Sequence, residues 1–154
     1  MVAYRELYEL AIVHRDLKLA NVFVRKGVII LADFGFAISS EMCNQNFDYN
    51  VGSPYYMPPE TLKFNTYSFK SDVWSMGVIA YEMVYGKLPW KEKVESLLFL
   101  KITSTPIEEL FDPEVPLTDQ YKNFIVACLQ ISYEKRATPE YIINYEWSLA
   151  QDYV

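Results

Sequence analysis

Cysteine, glycine and histidine are all scarce in this sequence. There are two cysteines, five glycines and one histidine in 154 residues, and each scarcity narrows what the chain can be. Cys43 and Cys128 lie far apart with no CxxC partner, so neither a disulfide framework nor a thiolate metal site is indicated. Cys128 falls on an apolar helical stripe and is expected in the core. Cys43 lies in a polar loop and is expected to be a plain surface thiol. No apolar run approaches the ~20 residues that a spanning helix needs, and the stretch from Gly27 to Ala32 is short and strand-like. The first six residues lack the basic-then-apolar plan of a secretory leader. Cations are the minority charge, 14 Lys and Arg against 20 Asp and Glu, for a formal net charge of -6. That balance argues against a general nucleic-acid binder, which presents excess cations to phosphate. A basic protein partner is steered more readily by such a surface. The chain is therefore expected to be soluble and intracellular, in the cytoplasm.

Hydrophobic residues make up 51% of the chain, enough for one packed domain. Tyr4, Leu7, Tyr8 and Ala11 keep helical spacing, as at the end of an amphipathic helix. Val22 to Val24, then Arg25-Lys26-Gly27, then Val28 to Leu31 predict a short hairpin with glycine at its turn. From Ser39 to Tyr56 no period is sustained, which predicts a long loop. Ser71-Asp72 is expected to open a helix carrying Val73, Trp74, Gly77, Val78, Tyr81 and Val84, with Met76, Ile79, Ala80 and Met83 on its other faces. A helix apolar nearly all round belongs at the centre of a domain, and Gly86 and Pro89 stop it. Val94, Leu97, Leu98, Lys101 and Ile102 suggest a further helix, after which Pro106, Pro113 and Pro116 break the pattern. Tyr121, Phe124, Ile125, Cys128 and Leu129 form the stripe of the next helix, with Thr118 as its cap. Thr138-Pro139-Glu140 has the hydroxyl, proline and carboxylate of another helix start.

The segment from His14 to Asn21, with Asp33-Phe34-Gly35 after it, carries the chemistry. Moving a phosphoryl group needs a positioned hydroxyl, cations over the phosphates and ligands that hold those cations. Magnesium takes hard oxygen donors and shares them with waters and phosphates. Asp33 offers a carboxylate and Asn21 an amide oxygen. Asp16 can accept or orient a hydroxyl, and Lys18 can neutralise charge on the transferred group. Singly these are a solvated Asp, a turn Asn and a surface Lys. Their order argues for a set, as does a hairpin that returns Asn21 beside Asp33.

The spacing is that of the protein-kinase patterns H-R-D-L-x-x-x-N and D-F-G. Downstream, Gly52-Ser53-Pro54-Tyr55-Tyr56-Met57-Pro58-Pro59-Glu60 is similar to G-T-x-x-Y-x-A-P-E, with Pro58 replacing the alanine. Asp72-Val73-Trp74-Ser75-Met76-Gly77 is similar to D-x-W-S-x-G, and Arg136 matches the arginine that pairs with the A-P-E glutamate, here Glu60. The chain thus resembles, over essentially all of residues 1–154, the C-terminal lobe of a eukaryotic-type serine/threonine protein kinase. The resemblance implies a mainly α fold with a short β-hairpin at the catalytic loop and the N-terminal β lobe absent. Residues 1–154 would be a partial kinase domain, running from the end of the helix before the catalytic loop to the last helix. It implies ATP and Mg2+ as cofactors and a protein substrate with a Ser or Thr acceptor. Asp16 and Lys18 would be catalytic. Lys18, Asn21, Phe23 and Asp33 would bind the cofactor, with Asn21 and Asp33 on the metal and Phe23 under the adenine ring. His14 would pack against Phe34 of Phe34-Gly35 in a structural spine, and Glu60, Asp72 and Arg136 would be structural.

Lys18 and the Gly52-Ser53 pair are similar to the serine/threonine branch, in which the Ser53 hydroxyl would bridge Asp16 and Lys18. Phe36 resembles members that favour serine. Glu82 matches a carboxylate that holds a substrate arginine, but Ala20 stands where strongly basophilic members carry glutamate, so a partial basic preference is implied. Arg15 is the cation that receives an activation-loop phosphate in many members. Here the stretch before Gly52 is Asp48-Tyr49-Asn50-Val51, without threonine. Asp48 is therefore expected to act as a fixed anion, or Tyr49 or Ser53 to be modified instead. No G-x-G-x-x-G and no V-A-I-K-type lysine precede the catalytic loop. The expectation is a piece of an active kinase that needs the missing lobe or a partner protein and is inactive alone. The alternative is a non-catalytic module that binds a protein through the face the missing lobe leaves open.

Overall fold

The apolar run from Val73 to Tyr81 becomes the axis of the fold. A computed structural model of the chain describes residues 2–45 and 47–147, and these form a mainly helical structure with two small antiparallel sheets. Helix α3, Phe69–Tyr85 (α1 and α2 are given below), buries Val73, Trp74, Val78 and Tyr81 almost completely. It starts two residues before the expected Ser71, because Ser68 and Ser71 cap it together. The Ser68 hydroxyl accepts the Lys70 N–H at 3.1 Å, and the Ser71 hydroxyl accepts the Ser68 N–H at 3.1 Å. Gly86 ends it in the left-handed region, at φ +63°. Its last turn is not enclosed: Met83 is exposed.

Helix α5, Asp119–Cys128, lies against α3, with Thr118 accepting the Tyr121 N–H at 3.2 Å. Gly77 makes this contact possible. A β-carbon there would stand 2.6 Å from Cys128 Cβ and 2.9 Å from Leu129 Cδ2. Helix α6, Pro139–Ile143, is capped by Thr138 through the Tyr141 N–H, as its sequence foretells. Helix α4, Glu95–Ser104, sends only Leu98 and Ile102 inward; Val94, Leu97 and Leu100 stay exposed. The proline-broken stretch after it contains a 3₁₀ turn, Ile107–Leu110, that buries Leu110. Arg136 is buried beneath these helices. It forms a two-pronged ion pair with Glu60 at 2.5 and 3.0 Å and donates to the carbonyls of Lys70 and Gln130. Its guanidinium lies 4.9 Å from the centre of the Trp74 ring, and Trp74 stacks on Trp90.

Helix α1, Val2–Glu9, packs Tyr4 and Leu7 with Leu17 and Ile79 into a second, smaller core. Ala11, expected on its stripe, lies outside it at φ +54°. Helix α2, Pro59–Phe64, is not signalled by any period because it is only six residues long. The loop expected from Ser39 to Tyr56 is interrupted. Strand β1, Ile12–Val13, pairs antiparallel with β4, Ile38–Ser39, and 3₁₀ turns occupy Ser40–Asn44 and Pro54–Tyr56. Strands β2, Val22–Arg25, and β3, Val28–Leu31, form the expected hairpin. Both residues of its turn, Lys26 and Gly27, have positive φ, the conformation that suits a two-residue hairpin loop.

Cys128 is buried and its thiol is pushed well above its ordinary pKa. Cys43 is half-buried rather than an open surface thiol, and burial raises its pKa as well. Among the described residues, no helix is long and apolar enough to cross a membrane.

Candidate active site

The loop from His14 to Asn21 is held from below by α3. Asp72, fully buried, accepts the backbone N–H of His14 at 2.8 Å and of Arg15 at 3.1 Å. Burial pushes its carboxyl up to about 7, opposed by these two N–H groups and by the Arg15 charge. These two hydrogen bonds to one carboxylate hold Arg15 in the left-handed region at φ +67°, which is uncommon for a residue other than glycine.

His14 is enclosed. Its Nδ1 accepts the Asp16 N–H at 3.3 Å, which leaves the proton on Nε2, 3.2 Å from the Ala32 carbonyl. Burial lowers its pKa, so the ring is neutral, and it lies 5.1 Å from the Phe34 ring. The histidine is a spacer between the loop and the Asp33-Phe34-Gly35 turn.

Asp16 is buried, and its two oxygens differ. Oδ2 accepts Lys18 Nζ at 2.8 Å and lies 3.5 Å from Asn21 Nδ2. Oδ1 is buried and has no hydrogen-bond partner. Gly52, at φ +99°, closes over this atom: a β-carbon at Gly52 would lie 2.4 Å from the Arg15 carbonyl and 3.3 Å from Asp16 Oδ1. Lys18 Nζ also reaches Ser53 Oγ at 3.0 Å. The bridge therefore runs through the lysine, which joins Asp16 to Ser53. The expected bridge through the Ser53 hydroxyl is corrected, because the lysine is the long side chain and the only obligate donor of the three.

Asn21 donates from Nδ2 to the Asp16 carbonyl at 3.0 Å, which leaves its amide oxygen as the acceptor. The Ala32 N–H bonds the Asn21 carbonyl at 3.0 Å, so the hairpin returns the chain to Asn21 one residue before Asp33. Asp33 is exposed, in the left-handed region at φ +64°, with Oδ1 3.4 Å from the Gly35 N–H. Among the described residues, no three His, Cys, Asp or Glu side chains cluster as a metal cage. One carboxylate and one amide oxygen remain, a donor set of hard oxygens that suits magnesium, which completes its shell with water and phosphate.

The other expected residues are more dispersed. Phe23 is 53% exposed on the bare hairpin. Glu82 is already engaged: its Oε2 accepts the Tyr56 hydroxyl at 2.5 Å, and burial together with this bond raises the Tyr56 phenol well above its ordinary value. Tyr49 and Asp48 are exposed, and Asp48 forms no ion pair with Arg15 among the described residues. The Arg15 guanidinium instead lies 4.9 Å from the ring centre of Phe47 and 5.0 Å from that of Tyr67. Phe47 and Tyr67 are the neighbours that the sequence did not bring to the site.

The chain matches the protein kinase domain family over residues 1–148. It is 31% identical over 155 aligned residues to the serine/threonine-protein kinase STE20 of Yarrowia lipolytica, covering 99% of this chain and 14% of that protein. It is 33% identical over 134 residues to the serine/threonine-protein kinase pakA of Dictyostelium discoideum, covering 86% of this chain and 11% of that protein. With the serine/threonine-protein kinase ppk11 of Schizosaccharomyces pombe the identity is 34% over 137 residues, covering 87% of this chain and 43% of that protein. The chain therefore spans between 11% and 43% of the length of these relatives.

Proposed function

This chain belongs to the protein kinase domain family, and from that premise we propose that it supplies the catalytic-loop half of a protein serine/threonine kinase. Magnesium ATP, when bound, supplies the γ-phosphoryl group and the cation charge over it. Asp33 and the Asn21 amide oxygen would hold the magnesium, and Phe23 would offer an apolar floor to the base. The Asp16 carboxylate orients the substrate Ser or Thr hydroxyl and accepts its proton, from the side where Oδ2 faces Lys18 and Asn21. Lys18 neutralises the developing charge, and its bond to Ser53 ties the activation segment to the reaction centre. His14 is neutral and enclosed, so it moves no proton. The single observation that carries this reading is the convergence of Asp16, Lys18, Asn21 and Ser53, with Lys18 Nζ 2.8 Å from Asp16 Oδ2 and 3.0 Å from Ser53 Oγ, and Asn21 bonded to the Asp16 carbonyl.

The family needs a lysine-glutamate pair over the phosphates together with the D-F-G magnesium, and the described residues carry neither that lysine nor a glycine-rich loop. Transfer is therefore expected only when a nucleotide-covering lobe or partner protein is supplied. Glu82 has one oxygen beyond its bond to Tyr56, so any basic preference in the substrate is partial.

A second reading, a non-catalytic module that docks a protein on the bare hairpin, is favoured by the exposure of Phe23, Val24, Val28 and Ile29. The deciding experiment joins the chain to the glycine-rich lobe of a relative and measures phosphate transfer to a Ser/Thr peptide. Asp16→Asn and Asp33→Asn should each lower kcat by roughly 10³-fold while leaving the thermal midpoint unchanged. Transfer retained in either variant would sink the site, and a wild type without transfer would favour the module.

A further inference from the structure

Arg15 forms no ion pair among the described residues, although it adjoins the proposed catalytic aspartate. Its Nε donates to the Phe36 carbonyl at 2.6 Å, and its guanidinium contacts two aromatic rings. Those rings, Phe47 and Tyr67, meet edge to face with centroids 5.5 Å apart and planes at 88°. A ring face carries the negative end of a quadrupole, so two rings can seat a cation with no carboxylate or phosphate.

The seat is tied to both sides of the site. From the α2 side, Asn65, at φ +54°, donates its Nδ2 to the Phe47 carbonyl at 3.0 Å. Tyr67 is 2% exposed, and its hydroxyl accepts the Val51 N–H at 2.7 Å and donates to the Val51 carbonyl at 3.1 Å. Val51 leads into Gly52, whose backbone sits against the Arg15 carbonyl and Asp16 Oδ1 too closely to admit a side chain. The path closes on itself: Arg15 to the rings, Tyr67 to Val51, and Gly52 back to Arg15 and Asp16.

We propose that Phe47 and Tyr67 are positioning residues that seat Arg15 and so hold residues 47–53 over Asp16 without any phosphate on that segment. This rests on the reading of Asp16 given above. The aromatic pair does by cation–π contact what an anion would do by charge. Neither the exposed Asp48 carboxylate nor a modified Tyr49 is required.

The test uses amide hydrogen exchange on the chain together with transfer kinetics on the lobe-joined form. Phe47→Leu keeps apolar bulk and removes the ring. It should speed exchange at residues 47–53 by roughly tenfold and lower kcat by a similar factor while the KM for ATP stays unchanged, and Phe47→Tyr should restore both. Phosphatase treatment, with mass spectrometry showing no phosphate left, should change neither quantity. Exchange unaltered by Phe47→Leu would overturn the proposal, as would exchange or transfer that depends on a removable phosphate. If the lobe-joined wild type transfers nothing while Phe47→Leu still speeds exchange, the kinase reading fails and the aromatic seat stands.

Discussion

Helix α3 and the β2–β3 hairpin are built from similar residues and put them to opposite use. In α3, Val73, Trp74 and Val78 are 0% exposed; in the hairpin, Val24 is 72%, Val28 62% and Ile29 55% exposed. Full burial of such a side chain contributes about 1.5–3 kcal/mol, so α3 takes a stabilisation that the hairpin forgoes. The hairpin stands on its ladder and its Lys26-Gly27 turn, and its apolar side chains remain free to meet a ligand or another protein surface. Apolar composition alone therefore does not say where stability resides. The number of elements around each strand or helix does.

The sharpest way to break this contrast is to attack the ion pair under the helices. Arg136→Ala leaves Glu60 without its partner beside a buried void and should cost about 3–5 kcal/mol in urea unfolding. A loss below about 1 kcal/mol would show that the helical base is not the stabilising half. Gly77→Ala should come next, at about 1–3 kcal/mol destabilising, because the new methyl meets Cys128 and Leu129. The sign is informative: helix propensity alone would make that change favourable by about 1 kcal/mol, so a stabilised variant would mean that α3 and α5 separate easily. The smallest effect belongs to the hairpin. Ile29→Thr should stay within about 0.5 kcal/mol by the same urea titration. A cost equal to that of Gly77→Ala would mean that the hairpin is packed after all, and the contrast would collapse.

What was readable from sequence follows the range of the interaction responsible. Thr118 and Thr138 act on N–H groups three residues away, so their caps could be read directly. The hairpin could be read because its turn residues and its apolar runs adjoin. Helix α2 and the β1–β4 pair could not, since elements of two to six residues leave no period and owe their existence to distant neighbours. The same division holds at the candidate site. Asp16, Lys18 and Asn21 lie within one short loop, and spacing alone suggested that they act together. The partners of Arg15 and Glu82 are Phe47, Tyr67 and Tyr56, brought from a distance by tertiary folding. A guanidinium over an aromatic face has no characteristic sequence spacing, so nothing in the sequence singles out Phe47 or Tyr67.

The Trp74–Trp90 stack has an optical consequence. Two of the three tryptophans in the chain lie with ring centres 5.5 Å apart and planes at 13°, and the third, Trp147, packs on Phe124 and Tyr145. All the indole chromophores thus sit among the helices, and none lies between His14 and Tyr67. Indole emission will follow the melting of the helical base and remain blind to opening at Asp16. An observer who relies on indole fluorescence would see a rigid protein while the edge around Asp16 moved in the dark.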